Sequence, residues 1–451
     1  MDLFEFHYSS IVEPLYGQKR NYIQDQSFSI YDNIYSVSSH DRIDMTSVEV
    51  YSIDPDGCED ADDAFSIYYD NGYYLAIHIA DPTEYICPHS LLWNDVVQRT
   101  TTKYPSNRNP IHLLPHSIVE KASLLTIEKE ETKNAITILT KLNDQYEPEG
   151  KINLLFTTIL VKSENALRYH DPLNETTQIG RKISQALFKI RSKQTIGTKL
   201  NEINVSYVKY PLQLYQDSPQ EKEMKQMIAE FAIFANSFVG EYLKIHLQKG
   251  IFRTCQAKEW LQTIHQSISG EDMLQEIITN GIQANYISEI GAHDLVGKPE
   301  YCHFTSPIRR MADCVCHYLL KYIYLQEVPF PFTEDELDFL SNRCLQVTKS
   351  DKKIQYKDVK FRLLQVMNDI IKEKNKVLIE FYITGYSGLF LNCIICKIDD
   401  FHVHFSYSLR IFHYNKEIQA KEKHLVVVKS VNCFTQFDEN TIPELDTYLK
   451  S

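Results

Sequence analysis

The stretch YSIDPDGCEDADDAFSIYY, residues 51–69, places six acidic side chains within the ten positions from Asp54 to Asp63. Carboxylates held this close repel one another and resist desolvation, so solvent, counter-cations or a metal must offset the repulsion. A helix-loop-helix calcium loop also spaces acids at alternate positions. Counted from Asp54, however, the fifth position is Cys58, the sixth is Glu59 where glycine is required, and the twelfth is Phe65 rather than glutamate. An acidic surface turn is the plainer alternative. Against it, Asp54 ends one strand-like segment while Asp62 and Asp63 lead directly into the next, so a short loop brings both ends of the cluster together. Oxygen ligands converging in this way suit magnesium, a hard cation that keeps several waters and commonly binds substrate phosphate as well.

A second constellation is YCHFTSPIRRMADCVCHYLL, residues 301–320. Thr305 or Ser306 can cap a helix, Pro307 suits its first turn, and Ile308, Met311, Ala312, Val315 and Leu319 make a buried stripe. Arg309 and Arg310 then stand at the positive end of the helix macrodipole. That position is unfavourable for a cation unless an anion is bound, and terminal amides with a guanidinium fork form a phosphate site. The local alternative is an Arg309–Asp313 pair one turn apart. An acid cluster for a metal and an arginine-loaded helix start for phosphate together suit phosphodiester cleavage.

The elements that must position these groups are legible in outline. Residues 1 to about 40 are aromatic and polar without a sustained period and read as an extension too short for an independent domain. MTSVEVYSI leads into the acid loop, and AFSIYYDNGYYLAIHIAD reads as two alternating strands joined at Asp70-Asn71-Gly72. NAITILTKL and KINLLFTTILV read as further strands. In QEKEMKQMIAEFAIFANSFVGEYLKIHL, Met224, Met227, Ile228, Phe231, Phe234, Ala235 and Phe238 recur at helical spacing, and SPIRRMADCVCHYLLKYIYL is a second helix. In the segment from Lys349 to Lys376, Lys353, Lys357 and Lys360 share one helical face, either solvated or turned toward nucleic acid. From about 376 to 436 the chain is β-rich, with turns at GYSG and IDD, as in a small barrel.

A length of 451 residues with 43% hydrophobic and 24% charged side chains allows two or three globular domains. The net charge of −13 argues against whole-surface binding to nucleic acid and leaves room for a local basic channel. No signal peptide and no membrane span are read. Ten cysteines without a secretory signal then point to a reducing, intracellular compartment, the cytoplasm. The pair Cys393 and Cys396 has zinc-like spacing but lies in an apolar strand with no second pair, and reads as core packing.

At the two constellations the sequence resembles the catalytic domain of the ribonuclease II and ribonuclease R family, often called RNB, which includes the exosome exonuclease subunit. RIDMTSVEVYSIDPDGCEDADDAFSI and HIADPTEYI are similar to its opening blocks, and KYPSNRNPIHLLPHSIVEKASLL, SENALRYHDP, EFAIFANSFVGEYL and HFTSPIRRMAD to later ones, all in family order over roughly residues 41–345. The resemblance implies an α+β fold: a short extension (1–40), an RNB catalytic domain (41–375) with strands and helices around an RNA channel, and a C-terminal OB-like RNA-binding barrel (376–451). It implies that Asp54, Asp60, Asp62 and Asp63 hold magnesium, with manganese as the alternative, and activate water, and that Arg309 grips the scissile phosphate. Tyr169 and Glu230 match positions near the terminal ribose, Tyr104 an aromatic that stacks on bases, and Ser306 and Arg310 further RNA contacts.

The expected activity is 3′→5′ hydrolysis of single-stranded RNA to 5′ mononucleotides, by a monomer or as part of an RNA-decay complex. A catalytically silent RNA-binding protein on the same fold is the alternative. The sequence departs from the family in three places. About 40 N-terminal residues cannot hold the cold-shock-type barrels that usually precede the domain, Thr254-Cys255 replaces an apolar residue and histidine, and Met311 stands where tyrosine is common.

Overall fold

A computed structural model describes residues 3–17, 33–106, 108–125, 130–193, 197–203, 205–257, 259–264, 267–387, 390–410, 423–432 and 444–448. Residues 18–32 of the N-terminal extension and Gly388 of the GYSG turn lie outside them.

The centre is a seven-stranded sheet in the order β1-β6-β5-β4-β3-β2-β7. Its strands are β1 (Ile43–Asp44), β2 (Val50–Asp54), β3 (Asp63–Tyr69), β4 (Tyr73–Ala80), β5 (Lys133–Leu142), β6 (Pro148–Ile159) and β7 (Val161–Arg168). The expected β3–β4 hairpin is present, with Tyr69 opposite Tyr73 and positive φ at Asn71 and Gly72. Only Leu160 separates β6 from β7, yet β6 lies second from one edge and β7 forms the other. So short a link requires the sheet to curl until its two edges approach. The edge pairs β1–β6 and β2–β7 are parallel, and the second sets Asp54 beside Arg168. The end of β2, the end of β7 and the start of β3 thus share one rim.

Helices cover the sheet: α2 (Leu91–Arg99), α3 (His116–Ala122), α4 (Glu175–Ser192), α5 (Pro219–His246) and α8 (Met311–Leu325). The long α5 opens on a capping box between Ser218 and Glu221 and buries Met224, Met227, Phe231 and Ala235, with Phe231 edge-on to Phe65 of β3. The hairpin β8–β9 (Tyr207–Lys209, Gln213–Tyr215) precedes α5 in the chain, and two small helices, α6 (Glu259–Ile264) and α7 (Gly270–Thr279), with the antiparallel pair β10–β11 (Phe252–Thr254, Asn285–Ile287), lie between α5 and α8.

The helix α8 begins later than the sequence suggested. Its N-cap is Arg310, and neither Thr305 nor Ser306 caps it. Tertiary partners claim the preceding amides: Phe304 N and Thr305 N donate to Asn236 Oδ1 of α5, Ser306 N to Asp313 Oδ1, and Ile308 N to Asp62 Oδ1. Those bonds hold residues 304–310 in turns that a helix would break.

The helix α9 runs unbroken from Glu334 to Lys374 behind a Thr333–Glu336 capping box. It leads into an antiparallel sheet in the order β14-β13-β12-β15-β16 (β12 Val377–Ser387, β13 Phe390–Ile398, β14 Phe401–Arg410, β15 Lys423–Asn432, β16 Glu444–Tyr448). A second apolar core joins this sheet, Phe361, Leu364 and Met367 of α9, and Phe4, Tyr8, Val12 and Tyr16 of the N-terminal segment that opens with α1 (Leu3–His7). The basic stripe expected on α9 is interrupted. Lys353 is exposed, but Lys360 is buried with its ammonium 4.2 Å from the centre of the Tyr407 ring, and burial lowers its pKa to about 8. Cys393 and Cys396 are free thiols packed in β13.

Candidate active site

The acid loop spans the tight connection from β2 to β3, and Gly57 takes the positive φ its turn needs. Its far end is clamped from α3: Ser123 Oγ accepts from Ala61 N at 3.1 Å, and Leu124 N donates to Ala61 O. Asp56 and Glu59 face solvent, while Asp54 and Asp62 are buried. Of the six acids, the loop therefore turns Asp54, Asp60, Asp62 and Asp63 inward.

Asp62 makes the central contact. Its Oδ1 accepts from Ile308 N at 2.7 Å and its Oδ2 from Arg309 Nε at 3.0 Å. Arg309 Nη2 donates to Ser306 Oγ at 2.9 Å, which fixes the plane of the guanidinium. The local alternative for Arg309 is not formed, since Asp313 pairs with Arg310 at 2.9 Å. Residue 310 is extended, so Arg309 and Arg310 leave the chain in opposite directions, one toward the acids and one toward Asp313.

The electrostatics are those of crowded, desolvated carboxyls. Burial, then the Asp63 charge, push Asp54 up to about 7, opposed by Ser52, Cys58 and Arg168. Burial raises Asp62 to about 8 against the pull of Arg309, and Asp63 to about 6 against Arg309 and Arg310. Buried Asp54 Oδ2 has no hydrogen-bond partner. Among the described residues no three His, Cys, Asp or Glu side chains already stand together as an ion cage. The donor set still fits a hard divalent cation: it is all oxygen, one buried oxygen is unsatisfied, and near-neutral pKa values mark charge that a cation would restore.

Aromatic side chains border the acids. Tyr104 is 42% exposed, and its hydroxyl donates to Asp60 Oδ2 at 3.4 Å. Tyr169 follows Arg168 at the end of β7. Burial and then the charges of Asp63 and Asp54 raise its pKa. His112 Nδ1 lies 3.8 Å from Asp60 Oδ2.

Residues 42–326 match the family model described as the RNB domain. The chain belongs to the RNB family. It is 26% identical over 344 residues to the exosome complex exonuclease RRP44 homolog A of Arabidopsis thaliana, covering 63% of this chain and 36% of that protein. It is 23% identical over 402 residues to ribonuclease R of Chlamydia pneumoniae, covering 78% and 57%. The chain thus spans between about a third and somewhat over half of these relatives' length. Two solved structures share the fold. Mycoplasma genitalium RNase R in complex with ribose methylated single-stranded RNA matches at a TM-score of 0.68 and 16% identity, over 92% of this chain and 73% of that one. Yeast Ssd1, described as a pseudonuclease, matches at 0.65 and 15%, over 91% and 55%.

Within this RNB domain, three residues expected at the RNA are held by partners in the protein. Glu230 is 1% exposed, and Arg191 of α4 takes both of its carboxylate oxygens, Nε at 2.7 Å and Nη2 on the other. A buried carboxylate on α5 facing a guanidinium on α4 closes into a bidentate pair because neither charge could remain alone there. Ser306 is 2% exposed, and its hydroxyl accepts from Arg309. Arg310 is turned to Asp313.

Two contributors escaped the sequence reading. Arg168 reaches Asp54 only through the parallel β2–β7 register, which local sequence does not reveal; its position next to Tyr169 was the available hint. Asn236, at the centre of α5, staples the 301–305 segment by bonding Phe304 N, Thr305 N and the Tyr301 hydroxyl. A polar residue in the apolar stripe of a helix was the signal.

Proposed function

We propose that this RNB protein is a divalent-metal-dependent 3′→5′ exoribonuclease that hydrolyses single-stranded RNA to 5′ mononucleotides. The observation that carries the reading is the junction of Asp62 with Arg309, which brings the acid loop and the arginine turn to one point beside Asp54, Asp60 and Asp63. That pairing suits phosphodiester hydrolysis: carboxylates for a metal and its water, and a guanidinium for charge developing on phosphate.

Asp54, Asp60, Asp62 and Asp63 would hold magnesium, or manganese in its place, and the ion would supply Lewis-acid charge and an acidified water. Arg309 binds the scissile phosphate through the guanidinium edge not committed to Asp62 and Ser306. Asp54 Oδ2, buried and unpaired, is an open oxygen donor for the metal ion. Tyr169 walls the site, and Tyr104 offers its exposed ring to a base. The C-terminal sheet adds an OB-like RNA-binding surface. The relatives' names support the reading, among them an exosome exonuclease and a ribonuclease R. The protein acts as a monomer in the cytoplasm, alone or within an RNA-decay assembly.

A second reading has its own support. Asp62 is fully engaged by the protein, among the described residues no three acids stand together as an ion cage, and a structure described as a pseudonuclease shares the fold. The protein would then bind RNA without cutting it. Incubation of 5′-labelled single-stranded RNA with magnesium separates the two. A ladder of shortening products supports hydrolysis; RNA retained by the protein at full length supports the silent binder.

A further inference from the structure

The hairpin loop that carries Tyr104 is fastened by the N-terminal segment. Lys103 and Ile111 pair to close the loop, and its tip projects toward α9. The tip is anchored at Ser106 and Arg108. Ser106 N donates to Asp358 Oδ2 of α9 at 3.0 Å and its hydroxyl to Asp358 Oδ1 at 2.5 Å. The same buried carboxylate accepts from Tyr8 Oη at 2.9 Å and Tyr16 Oη at 2.7 Å. Arg108 pairs with Glu13 at 3.1 Å and donates to Gly17 O. Arg362 completes the cluster: it lies over the Tyr8 ring at 3.9 Å, pairs with Glu5 at 2.6 Å and donates to Ser106 Oγ at 3.0 Å.

A purely structural strap would need only its apolar side, where Phe4, Tyr8, Val12 and Tyr16 pack on Phe361 and Leu364. Here its polar groups converge on the loop instead, two residues from the aromatic that overhangs Asp60. A stacking ring contributes more to binding when its backbone is already held in place, because less ordering is left to the binding step.

We propose that residues 3–17 are a positioning element for RNA recognition. Through Tyr8, Tyr16 and Asp358 the segment fixes Ser106, and with it the Tyr104 ring, at the depth where a base of the substrate stacks. Tyr8, Tyr16, Asp358 and Ser106 are positioning residues that act through Tyr104. The proposal rests on the reading of Tyr104 as an RNA-stacking side chain.

The test uses the full chain and a set of single-stranded RNA oligonucleotides, each with one abasic site placed at a successive position from the 3′ end. Affinity is measured by fluorescence anisotropy in EDTA without added divalent metal, so that the RNA stays intact and the result does not depend on turnover. In the wild type, one position should carry a penalty of roughly tenfold or more, the scale of one lost base–aromatic stack. Tyr104→Ala should abolish that penalty. The double variant Tyr8→Phe/Tyr16→Phe keeps the apolar packing and removes both hydroxyl donors. It should lower the penalty at that position several-fold and leave the other positions unchanged. A penalty that stays at the wild-type value in the double variant while vanishing in Tyr104→Ala overturns the proposal and leaves the exonuclease reading standing. No penalty at any position in the wild type overturns both the stacking reading and the proposal.

Discussion

Arg309 Nε and Asp62 Oδ2 lie 3.0 Å apart although 247 positions separate them in the chain. The contact occupies one edge of the guanidinium, and Ser306 holds it from a second nitrogen. Arg309 therefore approaches a substrate as a preset fork rather than a searching chain, with its charge partly balanced by an acid of the same site.

Arg309→Lys tests that geometry. Lysine keeps the charge but loses the planar fork and the Nε bond to Asp62. Transition-state stabilisation should fall by roughly 2 to 4 kcal/mol, seen in kcat/KM on single-stranded RNA. Asp62→Asn should slow cleavage by about a hundredfold or more while RNA binding stays near normal. Wild-type turnover in either variant removes that residue from the mechanism.

The raised carboxyl pKa values make a cation-binding prediction. Asp54, at about 7, is substantially protonated at pH 6.5, and a cation favours its ionised form. Magnesium binding at that pH should release protons. Titration calorimetry in two buffers of different ionisation enthalpy measures the release, and Asp54→Asn should reduce it. Identical heats in both buffers would remove these acids as the binding site.

The Glu230–Arg191 pair predicts a stability effect where the family resemblance predicts a ribose contact. Glu230→Ala leaves the Arg191 guanidinium buried without its partner, which costs about 3 to 5 kcal/mol. Replacing both with Met should recover most of that loss in denaturant unfolding. If Glu230→Ala instead unfolds like the wild type and narrows the preference for RNA over DNA, the carboxylate faces the sugar.

The legible parts of this protein are those whose signal is local. The Asp70-Asn71-Gly72 hairpin needs only turn chemistry and alternation, and α5 needs only its apolar period, so both lie where the sequence places them. The inward set of acids followed from the resemblance, since charge spacing alone did not separate Asp60 from Glu59. What stayed hidden depends on partners distant in the chain. Asn236 and Asp62 delay the start of α8, the β2–β7 register brings Arg168 to Asp54, Arg191 encloses Glu230, and the N-terminal aromatics find a core against α9. Each is a tertiary contact overriding a local preference, and the local hints, Asn236 in an apolar stripe and Arg168 next to Tyr169, do not identify the partner.

His78 gives the clearest pH dependence. It lies fully buried in β4, between Ser66 on β3 and Thr137 on β5, with ring nitrogens 3.0 Å and 2.8 Å from their hydroxyls. Burial lowers its pKa to about 3, from an ordinary value near 6.5. The unfolded chain therefore binds a proton between about pH 3 and 6.5 that the folded chain refuses, and stability rises with pH across that window. Read downward, the neutral ring costs nothing above about pH 6.5 and about 1.4 kcal/mol for each unit below it. The buried acids of the site act in the opposite sense over part of the same range, because their folded pKa values are raised. They are common to wild type and variant, so a difference measurement cancels them. His78→Gln keeps a polar side chain that can bond the two hydroxyls and removes the titration. The variant should be less stable than the wild type at pH 7.5, and the gap should shrink by about 2 kcal/mol by pH 5. Urea unfolding at a series of pH values measures it, and a gap that stays constant from pH 7.5 to 5 shows that His78 titrates alike in the folded and unfolded chain.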